Sequence, residues 1–172
     1  MKLYYHSPIG IIELKGDEKG LQSCSFVKKK KEAEKSEMKS WLENTPESLK
    51  EAWQQLDEYF KGQRQSFSVK LNLSGTEFQK KVWQELQKIP FGQTKSYREI
   101  AEACGHPGAF RAVGGANYRN PVVIIVPCHR VIGADGSLTG FGAGLWRKKW
   151  LLEHEKKYGS NYRRLKPGKK SK

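Results

Sequence analysis

The chain has 172 residues, 37% hydrophobic and 29% charged, with a formal net charge of +14 at pH 7. That length can bury a real core, as one domain or two small ones. No stretch approaches the ~20 apolar residues of a membrane helix, and Met1-Lys2-Leu3-Tyr4-Tyr5-His6 opens no secretory signal, so a membrane partner is not expected. The three cysteines, Cys24, Cys104 and Cys128, form no CxxC pair and leave one over in any disulfide scheme. That usage fits a reducing, cytoplasmic setting, or a nuclear one in a eukaryote. Four scattered histidines lack ligand spacing; even His6 with Cys24 makes a poor pair, and no metal or cofactor is expected.

Residues 1–74 carry 13 Lys/Arg against 11 Asp/Glu, and residues 75–172 carry 19 against 7. One half thus holds nearly all the excess charge, and removing the basic tail Lys166–Lys172 still leaves +8 there. Such asymmetry is the footprint of a polyanion-binding domain, with nucleic acid the leading partner.

The first half opens with short extended runs. Leu3-Tyr4-Tyr5 and Ile9–Leu14 flank Ser7-Pro8, and Gly20–Val27 alternates with period two after a Gly16-Asp17 turn. An antiparallel meander follows from that pattern. Cys24 falls in phase with both Gln22 and Phe26, which leaves its face open; filler is its simplest role. Lys28–Glu37 is charge-dense and reads as a solvated loop. Thr45-Pro46 offers a helix cap with proline at the first helical position, followed by Leu49, Ala52, Trp53, Leu56, Tyr59 and Phe60 at helical spacing until Gly62. Phe67–Leu71 reads as one more strand, and Asn72–Gly75 as a linker to a second domain over 75–172.

The second half is mostly helical. Thr76 opens a helix with an apolar stripe of Phe78, Val82, Trp83, Leu86 and Ile89, stopped by Pro90-Phe91-Gly92. Ser96-Tyr97-Arg98-Glu99 has the form of a capping box and starts a short helix. The turn Gly105–Gly108 leads to a second short helix, Ala109–Tyr118, and the pair makes a helix-turn-helix. This second helix is nearly bald: Ala109, Ala112, Gly114, Gly115 and Ala116 are small, with only Arg111 and Asn117 able to reach a base. Glycine inside a helix costs about 1 kcal/mol, so Gly114-Gly115 needs a reason. Close packing against a neighbouring helix is one. Close approach to a narrow minor groove, where shape is read better than sequence, is the other.

The run Val122–Val126 reads as a buried strand and leads into Pro127-Cys128-His129-Arg130. A cysteine beside an apolar run is more often inert core than nucleophile. Here, however, an imidazole follows at once, and a thiol needs a base to react at neutral pH.

Asn120-Pro121, Pro127-Cys128-His129-Arg130-Val131, Gly140 to Gly144 and Trp150–Glu155 together resemble the active-site region of the O6-alkylguanine-DNA alkyltransferases. The resemblance extends upstream through Pro90-Phe91-Gly92, Ser96-Tyr97 and Arg111–Ala116, covering about residues 76–156 in order. It implies an α+β (α/β) N-terminal ribonuclease H-like domain with an antiparallel sheet over 1–74. A mostly helical, winged-helix-like helix-turn-helix domain would follow. It also implies a monomer that binds duplex DNA through the minor groove and takes an alkyl group from O6 of guanine, or O4 of thymine. Cys128 would be the acceptor, once per molecule, with His129 as base, Glu155 orienting the imidazole and Asn120 organising the backbone. Arg111, a phosphate contact on composition alone, becomes a finger that fills the space of a flipped base. Tyr97 would turn the nucleotide outward and donate to the ring. Ser96, Ala112, Gly114, Gly115, Asn117 and Arg130 are the remaining expected DNA contacts, and Val123, Val131, Phe141 and Gly142 the pocket wall. The family often has tyrosine where Phe141 stands and serine where Gly142 stands, so hydroxyl contacts from these positions are lost and the fit of bulky adducts is open.

Three rivals differ in what they predict. A Cys/His hydrolase would turn over repeatedly and leaves the basic half unexplained. A plain helix-turn-helix regulator would show strong sequence preference, against the bald helix. A lesion sensor related to the alkyltransferases would lack the motif cysteine, which is present.

Overall fold

The computed structural model describes residues 1–28 and 44–165; the charge-dense stretch from residue 29 and the tail 166–172 lie outside the described residues. Strands β1 (Lys2–Ser7), β2 (Gly10–Asp17) and β3 (Gly20–Phe26) form an antiparallel sheet in the order β1-β2-β3. Leu3 pairs with Leu14 and Tyr5 with Ile12, and all four are buried, as period-two alternation requires on a one-sided sheet. The register shifts at Lys15/Gly16, and Cys24 is buried while Gln22 is exposed. The ambiguity of Cys24 is thus resolved inward.

Helix α1 (Glu47–Phe60) covers the sheet with Leu49, Ala52, Leu56 and Tyr59. Pro46, not Thr45, occupies the cap position, and it makes no side-chain cap hydrogen bond. The expected boundary is therefore one residue early. Gly62 stops the helix at φ 75°, and a Cβ there would lie 2.1 Å from the Tyr158 ring, so both conformation and contact demand glycine. The expected strand Phe67–Leu71 is reduced to a single parallel bridge, Leu71 with Leu21. Gln55 explains why: its side chain bonds Ser68 N and Oγ at 2.9 Å, giving the segment a partner on α1 rather than a sheet neighbour.

The second half begins with α2 (Glu77–Gln87). Its cap, Thr76, forms a full reciprocal box with Gln79. At α3 (Tyr97–Ala103) only half of the expected box forms: Ser96 Oγ accepts from Glu99 N, while the Glu99 carboxylate lies 3.8 Å from Lys95. Helix α4 (Phe110–Tyr118) completes the helix-turn-helix and is held from behind by Trp83, whose Nε1 donates to Ala116 O at 2.9 Å. A short parallel pair, β4 (Lys95–Ser96) with β5 (Val131–Ile132), supplies the wing-like element. Helix α5 (Leu145–Leu165) returns across both halves. His154 on it bonds Tyr59 O at 2.8 Å and stacks on Trp150, which joins α5 to α1. No helix among the described residues is long and apolar enough to cross a membrane.

Candidate active site

The run Val122–Val126 is buried except for Val123, which is half-buried, and it is not a strand. Val122 bridges Cys24 and Val123 bridges Val126, with Ile124 at φ 72° between them. Positive φ at a β-branched residue is strained, costing on the order of 1–3 kcal/mol. An apolar run reports burial, and the fold used it to make a tight loop. Asn120 closes that loop from both ends. Its Oδ1 accepts from Val122 N at 3.0 Å and its Nδ2 donates to Val126 O at 2.7 Å. The edge of β3 braces it from outside through Cys24 N to Pro121 O and Val123 N to Cys24 O, both 2.9 Å. The loop delivers Cys128 into a 3₁₀ turn, Cys128–Arg130.

Cys128 is 3% exposed and lies on the wall of a pocket of about 490 Å³ shared with Val123, Phe141 and Gly142. Burial pushes its thiol pKa up to about 11, opposed by Asn120 and by the charge of Lys148. His129 is wholly buried, with Nε2 2.6 Å from Glu155 Oε2 and with Nδ1 lacking a partner among the described residues. Burial holds the imidazole below its usual pKa despite Glu155. A carboxylate can only accept, so Nε2 carries the proton and Nδ1 presents a lone pair.

Glu155 explains Arg130. The guanidinium donates from Nε to Oε1 at 2.8 Å and from Nη2 to Oε2 at 3.0 Å, with Nη1 on Ile89 O. Tyr59 Oη and Gly92 N also donate to the same carboxylate. Burial alone would raise Glu155, but His129 and Arg130 outweigh it and hold the carboxyl well below the usual range. Arg130 was expected at the DNA; it is a buried ion-pair partner, since the 3₁₀ turn aims it inward. Asn117 is the second such correction. It is 2% exposed, with Nδ2 donating to Cys128 O at 3.3 Å, because α4 turns that position toward the core.

The other expected DNA contacts divide by exposure. Arg111, Ala112 and Gly115 are exposed on α4, and Gly114 is half-exposed. A Cβ on Gly115 would meet nothing within 4 Å, and one on Gly114 only the Tyr97 ring at 3.9 Å. Packing among the described residues therefore does not account for these glycines. Ser96 serves as the α3 cap. Tyr97 is half-buried and donates to Thr139 O at 2.8 Å, while Val131 is buried beside the 3₁₀ turn.

Two residues escaped sequence reasoning. Lys148 is fully buried, bonded to Val131 O and Thr139 O, and burial lowers its pKa to about 8. Lys148, Leu151 and Glu155 stand at i, i+3 and i+7 on one face of α5, a spacing that could have flagged the lysine. Tyr59 gave no local signal. Its reach from α1 to Glu155 brings the first half into the site.

Taken together, the fold and the site define a two-part, DNA-binding-type protein in which a helix-turn-helix adjoins a pocket lined by Cys128, with the hydrogen-bonded pair His129–Glu155 following it. The profile of the 6-O-methylguanine DNA methyltransferase ribonuclease-like domain matches residues 1–73, and that of the DNA-binding domain of the same family matches residues 77–157. A methylated-DNA–protein-cysteine methyltransferase of Methanosarcina acetivorans is 55% identical over 151 residues, 88% of this chain and 95% of the relative. One of Mycolicibacterium paratuberculosis is 49% identical, covering 88% of this chain and 90% of the relative. The crystal structure of a Mycobacterium tuberculosis OGT in complex with DNA is 46% identical at TM-score 0.78, covering 90% of this chain and 92% of that one. The chain belongs to the 6-O-methylguanine DNA methyltransferase family.

Proposed function

We propose that this protein repairs DNA by moving a methyl or small alkyl group from O6 of guanine, and from O4 of thymine, onto its own Cys128. The observation that carries this reading is a pocketed cysteine followed by a buried histidine whose Nδ1 has no partner among the described residues and whose Nε2 is locked to Glu155. His129 takes the thiol proton at Nδ1 through a bridging water, and Glu155 stabilises the imidazolium that results. Lys148 favours the thiolate by its charge. Sulfur attacks the alkyl carbon in line, the C–O6 bond breaks, and the electron pair leaves with guanine, which takes up a proton with help from the Tyr97 hydroxyl. Backbone N–H groups of the loop 140–144 face O6. A thioether is a poor leaving group, so each molecule works once.

A base inside a duplex must leave the stack before this chemistry can occur. The bare α4 enters the minor groove as a monomer, Arg111 fills the vacated space, and Tyr97 crowds the phosphate. Exposed Arg111, Ala112 and Gly115, with no packing reason for the glycines among the described residues, support this docking. The deciding measurement is intact mass before and after mixing with an oligonucleotide that contains O6-methylguanine. A gain of one methylene on the peptide holding Cys128 is expected, and Cys128→Ser is expected to bind the oligonucleotide without gaining mass. Repeated turnover, or methylation elsewhere, would exclude the mechanism.

A further inference from the structure

Tyr59 is tied to two successive residues of α5. Its backbone oxygen accepts from His154 Nε2 at 2.8 Å, and its hydroxyl donates to Glu155 Oε2 at 2.8 Å. Between these two ties the ring packs against Phe60, Phe67, Phe91 and His154. The oxygen that Tyr59 reaches is the one that His129 Nε2 holds at 2.6 Å, and Arg130 Nη2 shares it at 3.0 Å. Tyr59, His129 and Glu155 are all fully buried, so no solvent competes for that oxygen. Burial and the charge of Glu155 hold the phenol well above its usual pKa, and it stays a proton donor through the neutral range.

We infer that Tyr59 is a positioning residue for the proton transfer: its hydroxyl fixes Oε2 against His129 and, by donating to the same oxygen, limits how tightly Glu155 holds the imidazolium. The inference rests on the function proposed above, in which His129 takes the thiol proton, and names what regulates that step from the first half of the chain. A hydrogen bond to the charged form of a carboxylate favours that form and makes it a weaker base. Taking the phenol away returns that basicity to the one partner able to gain a proton, because Arg130 is always charged and His129 is not. The other charges around the imidazole are Arg130 beside it and Lys148 on α5, and both oppose its protonation. His154, packed on the Tyr59 ring, is itself held below its usual pKa by burial. Tyr59 keeps its own proton throughout; the thiol proton of Cys128 passes to His129 as before.

The test is the pH dependence of single-turnover methyl transfer from duplex DNA containing O6-methylguanine, read as the midpoint of its acid limb. Tyr59→Phe keeps the ring among its aromatic neighbours and removes only the donor. Protonation of His129 then becomes easier, so the limb should move to higher pH, by about one unit for one lost bond to a charged group. Tyr59→3-fluorotyrosine makes the phenol more acidic and the donor stronger, so the limb should move to lower pH. Tyr5→Phe is the control. It removes another buried hydroxyl of the first half, bonded to Asp57 at 3.2 Å and not to Glu155, and should leave the midpoint in place. A general loss of rate lowers the plateau without moving the midpoint, which separates this role from a merely structural one. The fluorinated variant keeps the test decisive if Tyr59→Phe does not fold. A midpoint that stays put in both Tyr59 variants, or that moves as far in Tyr5→Phe, would overturn the inference. Failure of the wild type to take methyl from O6-methylguanine is a different result and would sink the underlying function instead.

Discussion

The catalytic corner and the recognition helix are built on opposite plans. Around Glu155, five hydrogen bonds converge on two oxygens from Tyr59, Gly92, His129 and Arg130. The Glu155 carboxylate is held by four residues at once, in a buried setting where a lost partner is costly. On α4, Arg111, Ala112 and Gly115 are exposed, and an added Cβ on Gly115 meets nothing within 4 Å among the described residues. The difference is what the two tasks require. An in-line attack tolerates little misplacement, so its parts are over-determined. A groove reader that must accept any sequence needs closeness rather than fixed contacts.

Breaking the over-determined side should have the largest effect. Glu155→Ala leaves Arg130 and His129 buried without their partner, and a loss of about 3–5 kcal/mol is expected in denaturant unfolding. A loss below 1 kcal/mol would show the corner to be far less committed than its bonds imply. Next comes the finger. Arg111→Ala should slow repair in duplex DNA on the order of 100-fold, the scale of a few kcal/mol for extruding a base, and much less with free O6-methylguanine. Equal losses on both substrates would remove the finger role.

A smaller change sharpens the contrast by moving stability and binding in opposite directions. Gly115→Ala adds a methyl into open space on a helix, so stability should rise by about 1 kcal/mol, or about 2–4 °C in Tm. The same methyl stands between α4 and the groove, so DNA affinity should fall. A variant that gains stability and keeps full affinity would place the groove elsewhere. The smallest effect is on pH dependence. His129 is pushed below 6.5 by burial, so the neutral base persists to lower pH than in a free histidine. The single-turnover rate should therefore hold as pH falls through 6.5 and drop only below it. An acid limb centred above 6.5 would mean that another group governs the proton.

Much of this architecture was legible because local patterns carry it. The meander, the helix starting at Thr76 and the helix-turn-helix follow from period and punctuation, and the matched motif blocks drew attention to Cys128, His129 and Glu155, of which His129 and Glu155 are hydrogen-bonded. Misreadings fell where a run of apolar residues reports burial without naming the backbone path. Val122–Val126 became a loop with Ile124 at positive φ, because the Asn120 side chain satisfies its ends. Phe67–Leu71 lost most of its ladder to Gln55.

By itself, the sequence determined which residue types the chemistry would draw on and which half would carry the positive charge. It could not determine which charged groups turn inward. Arg130 and Asn117 read as surface contacts, Lys148 as one basic residue among many, and Tyr59 as a core aromatic. Their directions depend on how α1, α4 and α5 meet around one carboxylate, over separations such as the 96 residues between Tyr59 and Glu155. Side-chain orientation at that range is settled by packing and by the need to partner every buried charge, and only the assembled tertiary structure imposes both at once.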